Sequence, residues 1–285
     1  MKHLVIGASG QVGHALIKAL TEAGHAVGGT YLSHPQPGMV MLNMTDRDAV
    51  EAAFANEAPD AVWIPGAMPD VDRCEREPEF SYQVNVEGPK NVMAVARRAN
   101  IPLVYFSTDY VFDGFDGPYR ENDAVHPLQV YGQHKVEAEQ ALLAYGQTLV
   151  VRPAWIYSDE PNPRNFVYRV LSDLKAGKPI KSAADQINTP TPAGPLARHA
   201  LQALLDGHRG VLHLAGPERL TRLAFVERIA QMAGFPTRTI ESISVADLPL
   251  PAKRPLNGGL ISNHPTYAIQ DRLEDLDLSP LLTAP

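Results

Sequence analysis

The chain has 285 residues, of which 45% are hydrophobic and 20% charged, with a formal net charge of −7. That length holds one large domain or two lobes, and its acids and bases are mixed, so no basic run marks a nucleic-acid or membrane surface. Cys74 is the only cysteine, which excludes a disulfide framework and fits a reducing compartment; no stretch reaches the ~18 apolar residues of a membrane span, so the cytoplasm is the expected location.

In chain order, apolar strands alternate with amphipathic helices. Residues 4–7 form a first strand, too short for a secretory apolar region. Residues 11–23 form a helix with Val12, Ala15, Leu16, Ala19 and Leu20 on one face and Gly24 as its stop. A strand follows at 26–31, then a helix capped by Thr45 with Asp48 at the capping-box position, then a strand at 60–64. A long helix is expected over 79–99, a strand over 103–107, a helix over 131–145 and a strand over 148–152. Beyond Arg152 the spacing predicts helices at 166–176 and 195–205, a strand at 211–214, a helix from a Thr221 cap to Ala233, and a weak helix over 269–276.

Strands separated by helices predict an α/β fold, a Rossmann-type doubly wound parallel sheet covered on both faces. The 25 prolines cluster at 35–37, 153–163, 190–195 and 249–255. Prolines end helices and occupy loops, so the last three clusters mark crossings between two lobes. The expected division places 1–153 and 182–214 in a dinucleotide-binding domain, and 154–181 and 215–285 in a smaller C-terminal substrate-binding lobe.

Gly7-Ala8-Ser9-Gly10-Gln11-Val12-Gly13 lies between the first strand and the first helix. Gly7 permits the tight turn, Gly10 the approach of backbone to a pyrophosphate, and Gly13 close helix–strand packing, with the positive helix end facing the anion. Three turn glycines alone would give the same spacing; the strand–loop–helix context points to a dinucleotide. NAD usually requires an acid at the end of the second strand. Here no Asp or Glu occurs between Glu22 and Asp46, which favours NADP(H) over NAD(H), although no Lys or Arg occurs between Lys18 and Arg47 to clamp a 2′-phosphate. Ser33 and His34 stand where they could hydrogen-bond it.

Residues 104–114 read Val-Tyr-Phe-Ser-Thr-Asp-Tyr-Val-Phe-Asp-Gly, and Val130-Tyr131-Gly132-Gln133-His134-Lys135 follows. Tyr131 and Lys135 share one helix face. A free phenol ionises near about 10, and a neighbouring ammonium with an oxidised nicotinamide would pull that value toward neutrality. Lys135 could also hold the nicotinamide ribose, and Thr108, at a strand end, would orient the substrate oxygen. An exposed Tyr–Lys helix pair is the plain alternative. The ten histidines show no ligand spacing, so no metal is expected.

These residues resemble the extended short-chain dehydrogenases, and within them the dTDP-4-dehydrorhamnose reductase group, nearly end to end. The most specific stretches are Ser107-Thr108-Asp109-Tyr110-Val111-Phe112-Asp113-Gly114, Pro118-Tyr119-Arg120-Glu121 and Pro127 through Lys135, with Val151-Arg152-Pro153-Ala154-Trp155-Ile156-Tyr157, Asp185-Gln186 and Arg254-Pro255-Leu256-Asn257 further on. The resemblance implies that Thr108, Tyr131 and Lys135 are catalytic. It implies that Gly7, Ser9, Gly10, Gln11 and Val12 cradle the cofactor, that Asn43 and Met44 sit by the adenine, and that Gly66, Ala67 and Met68 line the cofactor with Asn85 behind them. Asp109, Tyr110 and Trp155 would meet the sugar and Arg254 the nucleotide diphosphate, although Trp155 serves equally well as core packing.

The chain departs from the group's pattern at Asn43, in the proline-flanked 65–69 loop and at Gly258. It departs also at Ala15, where some members carry a metal-linked Glu. Two readings of function follow. One is an NAD(P)H-dependent reductase of a 4-keto nucleotide-sugar, with another keto substrate as its variant. The other is a non-catalytic, NADP-binding regulatory subunit similar to the methionine adenosyltransferase beta subunit. Helices beside the sheet could pair two copies as a homodimer.

Overall fold

The computed structural model describes residues 1–160, 162–163 and 165–283. Its centre is a seven-stranded sheet, in the spatial order Gly210–His213, Thr148–Arg152, Leu103–Phe106, Ala61–Ile64, Lys2–Val5, Ala26–Tyr31 and Val40–Met41. Every neighbouring pair is parallel. A parallel sheet is buried on both faces, so side chains alternate between two cores. Val5, Trp63, Val104 and Leu149 face one core, closed by the helices Gln11–Glu22 and Ala193–Leu205. Leu4, Ile6, Val62, Tyr105 and Val150 face the other, closed by Arg47–Glu57, Gly88–Ala99 and Val130–Leu143. The predicted doubly wound Rossmann architecture is therefore present.

The strand order reverses between Lys2–Val5 and its neighbour Ala61–Ile64. In such folds ligands bind outside the carboxyl ends of the strands at this switch point. Beyond the sheet, a separate apolar cluster gathers Tyr157, Val167, Leu171, Phe225, Ile229, Leu273 and Leu281 around the helices Phe166–Lys175 and Arg222–Met232. A small parallel pair, Ile180–Ala183 with Ile240–Ile243, flanks it.

Several local expectations are corrected. The helix Arg47–Glu57 is capped by Asp46, not Thr45: the Asp46 carboxylate accepts from the Asp48 and Ala49 amides at 3.1 Å each, where negative charge also suits the helix dipole. The Thr45 hydroxyl instead donates to Asn43 Oδ1 at 2.9 Å. The long 79–99 helix is interrupted by a π-helical turn, Gln83–Glu87, between Pro78–Tyr82 and Gly88–Ala99. Pro89 supplies no N–H to the preceding turn, which loosens the ladder at that point. The expected helix at 269–276 is only one 3₁₀ turn, Leu273–Asp275, because the Asp275 carboxylate accepts the Arg272 amide at 2.7 Å and closes the turn on itself. The short helix Val71–Arg76 and the strands Val40–Met41 and Ile156–Tyr157 are too short for any periodicity to reveal.

Candidate active site

The phosphate loop is built by contact. Gly7 has φ of +93°, and a Cβ there would lie 2.6 Å from Gly66 Cα; one on Gly13 would lie 2.3 Å from Gly7 O. Both glycines are thus required by packing, and Gly7 meets Gly66 across the switch point. The Gly7 and Ala8 amides are pinned to Thr30 Oγ1 and Thr30 O at 3.2 and 2.7 Å. Gly10 caps the helix Gln11–Glu22 with no side-chain bond, and no acid lies in the first turn. The helix N–H groups therefore remain for an anionic group, and these residues fit a dinucleotide pyrophosphate.

Ser9 is half-buried in this loop and Val12 packs on the adjoining core. Gln11 turns away: its amide donates to Ser158 Oγ and Asn165 Oδ1 at 3.0 and 3.3 Å, tying the first helix to the C-terminal part of the chain. Gln11 also lines a cavity of about 560 Å³, bordered by His14, Lys18, Tyr157 and Arg198, on that flank rather than beside Tyr131. The Ser33 hydroxyl and His34 Nδ1 are 2.7 Å apart and exposed. Asn43 folds back on Thr45, accepting its amide at 3.1 Å, while Met44 is buried against Gly88.

Asn85 grips the 65–69 loop from behind. It accepts the Met68 amide at 2.9 Å and donates to Met68 O at 3.2 Å. The π turn that carries Asn85 gives its amide this aim; such turns recur at functional sites. Gly66 N donates to Ile6 O at 3.0 Å, and Ala67 lies between, half-buried.

Tyr131, Met68 and buried Cys74 pack together, so the phenol stands at the crevice. Lys135 is fully buried beneath it, with Nζ donating to Phe106 O at 2.7 Å and lying 4.2 Å from the Tyr105 ring centre and 5.9 Å from that of Tyr131. Burial brings Lys135 down to about 7, with Glu139 and Cys74 opposing. The expected pull toward neutrality needs both the ammonium and an oxidised nicotinamide, and within the chain alone Lys135 is not among the groups that shift the Tyr131 phenol. Burial raises it, followed by Cys74, Asp109 and Tyr110, and only the hydrogen bond with the Thr108 hydroxyl lowers it. At neutral pH the phenol holds its proton.

Thr108 Oγ1 also donates to Asp109 Oδ1 at 3.2 Å, while Asn188 Nδ2 donates to Asp109 Oδ2 at 2.6 Å. Burial raises the Asp109 carboxyl to about 6 against these bonds. The Tyr110 ring stands edge-on to Tyr131, 6.2 Å between centres. Trp155 stacks on Phe225 at 6.3 Å and carries the Arg222 guanidinium over its ring at 4.5 Å. Arg254 is committed to Asp72 at 2.6 Å and to Ala252 O at 2.7 Å. Arg222 and Asn188 were not singled out from the sequence. Their partners come from remote segments, and neither stands in a recognisable spacing; the Thr221 cap just before Arg222 is the only local signal.

A parallel sheet reversing beside a glycine loop, with Tyr131 and Lys135 on a helix at that crevice, defines a nicotinamide-dependent Rossmann oxidoreductase of the extended short-chain type. The chain belongs to the RmlD family: the family model of the RmlD substrate binding domain matches residues 1–274. It is similar to the probable low-salt glycan biosynthesis reductase Agl14 of Haloferax volcanii, with 35% identity over 263 residues, 90% of this chain and 88% of that protein. It is also similar to a dTDP-4-dehydrorhamnose reductase of Aggregatibacter actinomycetemcomitans, with 32% identity over 90% of this chain and 89% of that one. A crystal structure of a dTDP-4-dehydrorhamnose reductase from Clostridium acetobutylicum superposes with a TM-score of 0.83 at 32% identity, covering 92% of this chain and 90% of the other. Among the described residues, no helix is long and apolar enough to cross a membrane.

Proposed function

We propose that the chain is an NAD(P)H-dependent reductase of a 4-keto nucleotide-sugar, of the dTDP-4-dehydrorhamnose reductase type. The observation that carries this reading is the Tyr131 phenol: buried, protonated, hydrogen-bonded with Thr108 and packed on the Met68 loop at the switch point. The chemistry a nicotinamide held there would supply is hydride for the carbonyl carbon. Tyr131 donates its proton to the carbonyl oxygen, and Thr108 orients that oxygen. Lys135, fixed on Phe106 O, presents its remaining N–H donors to the nicotinamide ribose. Gly7, Ser9, Gly10 and Val12 hold the pyrophosphate, Asn43 and Met44 flank the adenine, and Gly66, Ala67 and Met68 wall the ring. Asp109, Tyr110 and Trp155 surround the sugar. NADP(H) is preferred because no carboxylate stands at the end of Ala26–Tyr31 to repel a 2′-phosphate, and Ser33 and His34 offer polar atoms there. Lone, buried Cys74 suits the reducing cytoplasm.

The test is NADPH oxidation with dTDP-4-dehydro-6-deoxy-L-mannose. Tyr131→Phe is expected to lower kcat by about 10²- to 10⁴-fold, the range of a lost general acid, with NADPH binding retained. Undiminished turnover in that variant rejects the assignment. A wild-type chain that binds NADPH but reduces no nucleotide-sugar supports the regulatory-subunit reading instead.

A further inference from the structure

A nucleotide-sugar carries two phosphates, and Arg254, the cation implied by resemblance, already holds a carboxylate. Arg222 does not. It begins the helix Arg222–Met232, and its backbone N–H donates to Gln186 O at 2.8 Å. Its guanidinium is clamped between two aromatic faces, 4.5 Å from the Trp155 ring centre and 3.5 Å from that of Phe166. Among the described residues no carboxylate pairs with it and no acceptor takes its side-chain N–H groups. Trp155 holds a left-handed backbone, φ +37°, which a bulky residue rarely adopts. Burial lowers the guanidinium to about 10, so it stays charged at neutral pH. The residue is only half-buried, yet its guanidinium lies over two aromatic rings with no anion among the described residues to meet it.

The clamp and the reacting end share Tyr110 as a neighbour. Tyr110, edge-on to Tyr131, feels both Arg254 and Arg222 electrostatically and hydrogen-bonds Gln186. The Arg169 guanidinium lies 5.8 Å from the ring centre of the same phenylalanine, Phe166. A sugar seated between Tyr131 and Trp155 would therefore carry its anomeric substituent toward these guanidinium groups.

We propose that Arg222, stacked between Trp155 and Phe166, is the residue that binds the diphosphate of the nucleotide-sugar. The planar fork offers parallel N–H donors to phosphate oxygens, while the aromatic faces fix its plane. Arg254 is held by Asp72 and Ala252 O. This assignment rests on the nucleotide-sugar reading and names how that substrate is held.

The experiment is titration calorimetry on the NADPH-saturated protein with dTDP, inorganic pyrophosphate and thymidine, beside steady-state kinetics. Saturation with NADPH removes the phosphate loop as a competing site. Arg222→Gln is expected to weaken dTDP and pyrophosphate about 10- to 100-fold, as charge-assisted hydrogen bonds are lost, and to leave thymidine unchanged. KM for the nucleotide-sugar rises in step while kcat stays within a few-fold. Arg222→Lys, which keeps the charge without the fork, falls between and guards against a folding defect. Unchanged dTDP binding and KM in Arg222→Gln overturn the proposal, and a loss confined to Arg254→Gln returns the diphosphate to Arg254. A wild-type protein that binds pyrophosphate through Arg222 but reduces no nucleotide-sugar keeps the anion site and sinks the reductase reading. Turnover that ignores Arg222 does the reverse.

Discussion

At the scale of single residues, Lys135 shows how a group that suits chemistry weighs on the fold. Unfolded, it keeps its proton to 10.5; folded, it loses it near 7. Stability therefore rises with pH between those values, and below about 7 the buried ammonium burdens the fold by its full amount. Lys135→Met is expected to raise Tm at pH 7, by about 2 to 4 °C for each kcal/mol recovered, while removing reductase activity. Calorimetry and NADPH oxidation on one preparation check both; a lowered Tm defeats the account. Tyr131 and Lys135 were legible because i and i+4 share a helix face whatever the tertiary context. The direction of the Tyr131 shift was not, because burial decides it and burial is a property of the folded whole.

At the scale of elements, the helix Val130–Leu143 is placed by a residue with no side chain. A Cβ on Gly132 would stand 2.2 Å from Tyr110 O and 2.6 Å from Gln129 Oε1, and the first of these is backbone that cannot swing aside. Gly132→Ala must push the helix from the Tyr110 segment, carrying Tyr131 with it. The expected loss is about 1 to 3 kcal/mol, the usual range for overpacking, together with a fall in kcat. Gly146→Ala, where a Cβ meets nothing within 4 Å, is the neutral control, and urea denaturation of both variants decides. The longer helices and strands of the first 152 residues were readable because each has apolar residues in a single period, which Val40–Met41 and Val71–Arg76 are too short to show. The π turn was not, since it depends on Pro89 and on the two bonds between Asn85 and Met68.

At the scale of the molecule, the sheet has titratable groups sealed at both ends. His3, on the central strand Lys2–Val5, is fully buried and accepts from Trp63 Nε1 at 3.0 Å. His213 lies on the edge strand beside the Arg152–Glu139 ion pair, itself closed by bonds of 2.9 and 2.5 Å. Burial lowers both histidines from 6.5 to about 4; His25 also lowers His3, while Glu121 opposes the shift at His213. Unfolding takes up protons below 6.5 that the fold refuses until about 4, so stability falls as pH drops through that window. Each histidine contributes at most about 1.4 kcal/mol per pH unit. Asp109, raised to about 6, offsets part of this between 6 and 3.8. Urea midpoints at pH 7 and pH 5 should show the loss, and His3→Gln should flatten it; equal midpoints for the wild type would refute it.

What the sequence determined alone was whatever is local: the alternation of strands and helices, the glycine turn, the phenol–ammonium pair, and the motifs that resemble a reductase family. These follow from periodicity and backbone sterics, which act over a few residues. The tertiary structure decided what requires distant segments to meet. It joined Gly7 to Gly66 across the switch point, committed Arg254 to Asp72, and left Arg222 charged between Trp155 and Phe166. Desolvation and pairing depend on every neighbour a group finally acquires, and no stretch of chain specifies those neighbours by itself.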